Sequence, residues 1–235
     1  MSFLDKQMYV FDTETSIKSP ISSKAHHAWP LNIIVYFGSA YSDDGALTYT
    51  AAHLHNAKTE FRSSVEAGSL IVGHNLKFDI PYLIKHGFLD VKDVYKLNIY
   101  DTQIGAYLLS AQHSSYPSLD EEAAKYGGSL KPSAIKEYWN AGIDTEDIPA
   151  SEITPYLEGD VNNTLLVAQS QIKLIKQYGM EKLVESQMGA LKSLIVMETV
   201  GMQVDVPYIK ENIAKLAAEI EAAEAALLST TGALS

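Results

Sequence analysis

The sequence predicts an α/β fold, a mixed sheet flanked by helices with a helical C-terminal extension. Three observations carry that expectation. Short β-prone runs crowd the first fifty residues. From residue 70 such runs alternate with helical periodicity, and from residue 155 only the helical period remains.

The elements follow in order. Met8-Tyr9-Val10-Phe11 is a short β-prone run that meets an acid at Asp12. The runs Asn32-Ile33-Ile34-Val35-Tyr36-Phe37 and Leu47-Thr48-Tyr49-Thr50 flank the turn signal Asp43-Asp44-Gly45, so three antiparallel strands are expected. A helical stretch over 58–66 leads to Leu70-Ile71-Val72, an apolar strand stopped by Gly73, and then to a helix over 75–86. Residues 101–109 read as a helix, and Ser118-Leu119-Asp120-Glu121 has the spacing at which Ser and Glu satisfy each other's backbone amides at a helix start. Gly127, Gly128, Pro132, Gly142 and Pro149 punctuate the next segment, expected to be the most mobile part, with one helical stretch at 134–140. A long helix is expected from Pro155 to Gly179, with Val161, Leu165, Ala168, Ile172 and Ile175 on one face. Gly179 can adopt the left-handed backbone that ends it. Two further amphipathic helices, 181–200 and 207–228, are separated by Gly201-Met202-Gln203-Val204-Asp205. A boundary near residue 180 divides the chain into a domain of 1–180 and an extension of 181–235.

Composition narrows the function. At 235 residues and 46% hydrophobic the chain can bury one sizeable core. It has no run approaching the roughly 18 apolar residues of a membrane span, so no membrane partner is expected. The start, MSFLDKQMYVFD, lacks the small-residue cleavage site of a secretory signal, which points to the cytoplasm. The absence of cysteine excludes disulfides, thiolate metal sites and a cysteine nucleophile. A net charge of −11 argues against coating nucleic acid by phosphate neutralisation, but not against an enzyme whose carboxylate-bound cations meet a phosphate ester.

Three acidic clusters fit that second possibility. In Phe11-Asp12-Thr13-Glu14-Thr15 the two acids lie two apart, so on a strand they point the same way and need a compensating cation. In Gly73-His74-Asn75-Leu76-Lys77-Phe78-Asp79, Asn75 and Asp79 lie four apart, on one helix face. In Pro155-Tyr156-Leu157-Glu158-Gly159-Asp160, Tyr156 and Asp160 also lie four apart, placing a phenol beside a carboxylate that could orient water. Each alone is compatible with solvated surface acids. Together Asp12, Glu14, Asp79 and Asp160 have the makings of a carboxylate cage for two hard cations.

In kind, order and spacing these segments resemble the three exonuclease motifs of the proofreading domain of family A DNA polymerases, the bacterial and phage DNA polymerase I type. Tyr156 places the resemblance with the tyrosine subclass of four-carboxylate exonucleases. Tyr100-Asp101-Thr102 leading into Tyr107-Leu108-Leu109, then Ser118-Leu119 and Ala124-Lys125-Tyr126, is similar to that domain between its second and third motifs. The resemblance covers about residues 6–180. Met197 to Asp205 with the helix after it resembles the start of the polymerase thumb, and nothing resembles palm or fingers.

The resemblance implies a ribonuclease H-like fold with about five strands and hydrolysis of the terminal phosphodiester at a DNA 3′ end, preferably single-stranded, releasing nucleoside monophosphates in proofreading. It implies two divalent cations, Mg²⁺ or Mn²⁺, with Asp12 bridging both, Glu14 and Asp160 completing the site that activates water, and Asp79 supporting the second. Tyr156 and Glu14 would orient the nucleophile. Thr13, Asn75 and Phe78 flank the acids and are expected to contact substrate. A polymerase polypeptide is an expected partner through 181–235, in a bacterial or phage-infected cell. Two alternatives share much of this reading: an RNA-trimming exonuclease with the same site, and a non-catalytic module that binds DNA or a polymerase. His26, His27, His53 and His55 are read as solvated rather than as a metal site, although His53 and His55 would share a strand face. Asp101 is read as a helix N-cap rather than a fifth ligand.

Overall fold

The computed structural model describes residues 2–18, 25–42, 47–50, 53–113, 115–129 and 134–231. Its strands are β1 (Met8–Thr15), β2 (Ile34–Tyr41), β3 (Leu47–Thr50), β4 (Leu70–Gly73) and β5 (Asn98–Asp101), in the order β3-β2-β1-β4-β5. β1 pairs antiparallel with β2 and β2 with β3, while β1–β4 and β4–β5 are parallel. The sheet is therefore mixed, with β1 at its centre.

The helices are α1 (Leu54–Glu66), α2 (Leu76–Lys85), α3 (Thr102–Leu109), α4 (Leu119–Lys125), α5 (Ala134–Asn140), α6 (Ala150–Gln177), α7 (Glu181–Val200) and α8 (Val206–Thr231). None is long and apolar enough to cross a membrane among the described residues. The chain divides into a compact unit of Met1–Thr199 and a second of Val200–Ser235. In the second, Asp205 accepts from the Tyr208 amide at 3.0 Å and caps α8. In the first, α7 buries Val184, Met188, Leu191 and Ile195, spaced four, three and four apart, in the same core as the sheet.

Alternation along β1 gives the sheet two unlike faces. Phe11 stacks on Phe37 of β2 with ring centres 5.7 Å apart, and Phe61 of α1 and Phe88 close the cluster at 5.4 to 5.9 Å. The other face carries Asp12 and Glu14, and α6 packs against β1 and β2 there. α6 buries Ile153, Leu157, Val161, Ala168, Ile172 and Ile175. Its fully buried Gln171 accepts from the Tyr100 hydroxyl at 2.8 Å and donates to the Thr102 carbonyl and the Glu122 carboxylate at 3.0 Å each, joining β5, α3 and α4 to the long helix.

Several boundaries differ from expectation. β1 continues to Thr15, so the two acids lie inside a paired strand rather than at its end. β2 starts at Ile34, because Asn32 turns its side chain to the Lys18 amide and the His26 carbonyl. β5 was not legible as a strand: four residues of a parallel edge pair are too few to show a period. α1 begins at Leu54, so His53 and His55 are exposed at a helix start and the strand face expected for them does not exist. α6 begins five residues before Pro155, because Ile153 is buried and Glu152 accepts from the Tyr138 hydroxyl at 3.1 Å. The turn at 43–45 lies outside the described residues.

Two polar side chains, the exposed Lys85 and the buried Asp101, fix the ends of α2. At its C-terminus the Lys85 ammonium donates to the carbonyls of His27, Trp29, Pro30 and Asn32 at 2.5 to 3.2 Å, fastening the segment that leads into β2. At its N-terminus the carboxylate of Asp101, 2% exposed, accepts from the amides of Asn75 at 3.2 Å and Leu76 at 2.8 Å. The same carboxylate accepts from Gln103 and Ile104 at 2.8 and 3.3 Å at the start of α3. It is an N-cap as expected, but of two helices at once. Asp101→Ala leaves these buried amides without partners and is expected to cost about 2–4 kcal/mol. Phe37→Ala, which opens the aromatic cluster, is expected to cost about 3–5 kcal/mol. Urea unfolding monitored by circular dichroism measures both, and a loss below about 1 kcal/mol at either position contradicts the corresponding packing argument.

Candidate active site

Asp12 and Glu14 project from one face of β1, and α6 carries Asp160 to the same place. One carboxylate oxygen from each of the three lies within 4.8 Å of the other two. Asp12 is half-buried, while Glu14 and Asp160 are 8% and 5% exposed. Three carboxylates this close and this dry repel one another and are poorly hydrated, so the arrangement favours a bound cation. Oxygen-only donors suit a hard divalent ion. Among the described residues no other group of three or more acids or histidines comes together in this way. The pairing of β1 with β2 shifts register between Glu14 and Thr15, a bulge of the kind that re-aims a side chain beside a site.

Asp79 stands outside that trio. It is buried on α2, and its Oδ1 accepts from the Thr13 hydroxyl at 2.5 Å. Thr13 alternates with Asp12 and Glu14 along β1, so one strand holds a second acid by its intervening hydroxyl. Burial pushes the Asp79 carboxyl up from the ordinary carboxylate range; the Thr13 hydrogen bond opposes the rise and the charge of Asp101 adds to it. Burial also raises Asp101, against which His74 and the amides of Leu76, Asn75 and Ile104 act.

Asn75 does not share a helix face with Asp79. Its backbone is left-handed, with φ 64° and ψ 50°, and it precedes the first turn of α2, so the four-residue helical offset does not apply. The cap hydrogen bonds come from Asp101 in its place. Asn75 and Phe78 instead line a small recess of about 160 Å³ with His26, His27, Lys77 and Glu198. Phe78 packs against Tyr82 with ring centres 5.3 Å apart, and His27 meets Tyr82 edge-on at 6.2 Å.

Tyr156 is one turn before Asp160 on α6 and is 5% exposed. Trp139 of α5 stands edge-on to its ring at 5.8 Å and 89°. The Trp139 indole donates to the Thr145 hydroxyl at 3.2 Å, which donates to the Thr15 carbonyl at 2.8 Å at the end of β1. The Ile17 amide donates to Asp144 at 2.7 Å, and Lys18 pairs with Glu146. The stretch from 134 to 147, part of the segment expected to be the most mobile, is therefore fastened to the strand that bears the acids. Trp139 and Thr145 were not legible as site residues. The one sequence signal was a tryptophan inside a short helical stretch.

The 3′-5′ exonuclease family matches residues 6–192, most of the chain. DNA polymerase I of Borreliella burgdorferi is 30% identical over 176 residues, which are 74% of this chain and 18% of that protein. The chain thus spans less than a fifth of the length of that relative. Among solved structures, the POL domain of Pol1 from M. smegmatis, in complex with DNA primer-template and dNTP, aligns with a TM-score of 0.65 at 15% identity, over 96% of this chain and 34% of that one. The family B DNA polymerase from Pyrobaculum calidifontis aligns with a TM-score of 0.50 at 19% identity, over 81% of this chain and 27% of that one. The fold is the ribonuclease H-like mixed sheet that the motif order implied. With the match running over residues 6–192, the chain belongs to the 3′-5′ exonuclease family of the family A DNA polymerases.

Proposed function

We propose that this chain is a divalent-metal-dependent 3′-5′ exodeoxyribonuclease that removes nucleoside monophosphates from single-stranded DNA 3′ ends, in proofreading for a DNA polymerase. The observation that carries the reading is the convergence of Asp12, Glu14 and Asp160 within 4.8 Å beside the buried pair Thr13 and Asp79. Asp12, Glu14 and Asp160 would hold the cations, and Asp79, which stands outside the trio and bonds Thr13, would have to turn toward them to support the second. Mg²⁺ or Mn²⁺, when bound there, would supply Lewis-acid chemistry toward the phosphate and the attacking water. Glu14 and Tyr156 orient that water by hydrogen bonds, and Trp139 keeps the Tyr156 ring in place. Thr13, Asn75 and Phe78 position the terminal nucleotide, with the Phe78 ring available for stacking worth about 1–3 kcal/mol per base. Residues 1–180 form the catalytic part, and 181–235 contact a polymerase polypeptide, in a bacterial or phage-infected cytoplasm.

The direct measurement is digestion of 5′-labelled single-stranded DNA and RNA in Mg²⁺ or Mn²⁺, with an EDTA control. DNA shortening stepwise from the 3′ end, stopped by chelation, is the expected result. Faster digestion of RNA would favour trimming of RNA, and binding of DNA without cleavage would favour a non-catalytic module. Asp12→Ala is expected to lower the rate at least about 100-fold with the fold retained, because it removes one of the three converging carboxylates that would hold a cation. Near-normal rates in that variant would refute the assignment. Trp139→Leu is expected to lower kcat by roughly tenfold with KM little changed, because misplacing a water-orienting group raises the barrier without weakening binding. An unchanged kcat removes Trp139 from the positioning of Tyr156.

A further inference from the structure

We propose that Gly38 sets the width of the carboxylate site, acting as a positioning residue that lets α6 approach β1 closely enough for a small cation. The inference rests on the metal-dependent reading above and goes beyond the residues it names. Gly38 of β2 lies directly across from Asp12 of β1. Opposed residues of an antiparallel pair project to the same face, so the missing side chain at 38 and the Asp12 carboxylate share the face that α6 covers.

The helix uses the space. A Cβ built at Gly38 would lie 2.8 Å from Leu157 Cγ, 2.9 Å from Val161 Cγ2 and 3.1 Å from Leu157 Cδ1. Leu157 and Val161 flank Asp160, three residues before it and one after, on the same turn of α6. Both are fully buried and branched, so neither can swing away into solvent. With ordinary contacts starting near 3.4 Å, one methyl group at 38 would force β2 and this turn of α6 apart by about 0.6 Å. Asp12 stays with its strand, so the displacement widens the gap between Asp12 and Asp160.

Cations differ in their tolerance of such a change. Mg²⁺ requires oxygen ligands at about 2.0–2.1 Å in near-octahedral array, whereas Ca²⁺ accepts about 2.3–2.6 Å in flexible geometry. A wider site therefore loses Mg²⁺ before it loses Ca²⁺, an effect that loss of stability alone would not produce.

The test is calorimetric titration of the whole chain with MgCl₂ and, separately, CaCl₂, for the unsubstituted protein, Asp12→Ala, Gly38→Ala, Leu157→Ala and the double variant Gly38→Ala/Leu157→Ala. Gly38→Ala is expected to weaken Mg²⁺ binding by at least about tenfold while Ca²⁺ affinity changes by less than about threefold, and truncating Leu157 in the same chain is expected to restore the Mg²⁺ to Ca²⁺ ratio. If Gly38→Ala alone does not fold, the same expectation applies to the double variant against Leu157→Ala, whose ratios should agree. An unchanged ratio in Gly38→Ala, or no recovery in the double variant, overturns the inference while leaving the exonuclease reading intact. Mg²⁺ binding that is absent from the unsubstituted chain, or unaffected by Asp12→Ala, overturns the metal reading and this inference with it.

Discussion

The Asp101 carboxylate accepts hydrogen bonds from four backbone amides at the N-termini of two helices, and most of the site's framework is oriented by it. Helix starts leave amides without intrahelical partners, and burying them unsatisfied costs about 1–3 kcal/mol each. One side chain at the end of β5 answers that need for α2 and α3 together. Its own amide donates to the Met188 sulfur at 3.3 Å, which brings α7 to the same point. α2 carries Asp79 and α3 packs against α6, which carries Asp160, so the positions of two acids trace back to this capping group.

The sheet separates two requirements that oppose each other. Stability calls for dense apolar packing, which the four phenylalanines supply on one face. A cation site calls for carboxylates held close and partly dry, which destabilises the fold unless an ion is bound. Period-two alternation lets β1 serve both, with Phe11 on the aromatic side and Asp12 and Glu14 on the other. Thr13 and Asp79 occupy the aromatic side near the site, where a single hydroxyl offsets part of the cost of a buried acid. The central place of β1, paired on both edges, keeps this strand from shifting by a residue and exchanging its faces.

α6 connects the distant parts of the chain. Its first half holds Tyr156 and Asp160 over the strand, while its second half holds Gln171 in a network with Tyr100, Thr102 and Glu122. Trp139, Thr145 and the end of β1 brace the first half from the other direction. Lys85 adds a cation to four carbonyls of the segment before β2, so the strand opposite the acids is also tied to α2. The three converging acids thus lie at one helix–strand crossing, and these hydrogen bonds tie its neighbouring elements together.

The sequence by itself determined the fold class, most of the helices and the identity of the acids. Val161, Ala168, Ile172 and Ile175 repeat at helical spacing whatever packs on them, and Asp12 and Glu14 must share a face of any strand that contains both. Tyr156 and Asp160 fall one turn apart for the same local reason. Tertiary structure decided what period and propensity cannot encode. The strand β5 exists because β4 offers it an edge, and α6 starts early because Ile153 is buried, not because Pro155 would begin a helix. Asn75 takes a left-handed backbone because Asp101, 26 residues away, supplies the cap. Only the folded chain shows that Asp12, Glu14 and Asp160 meet while Asp79 binds Thr13, that Trp139 backs Tyr156, and that Gly38 lies beneath Leu157 and Val161. Local spacing fixes direction along one element; distances between elements depend on side-chain volume summed across the core, which no single stretch of sequence contains.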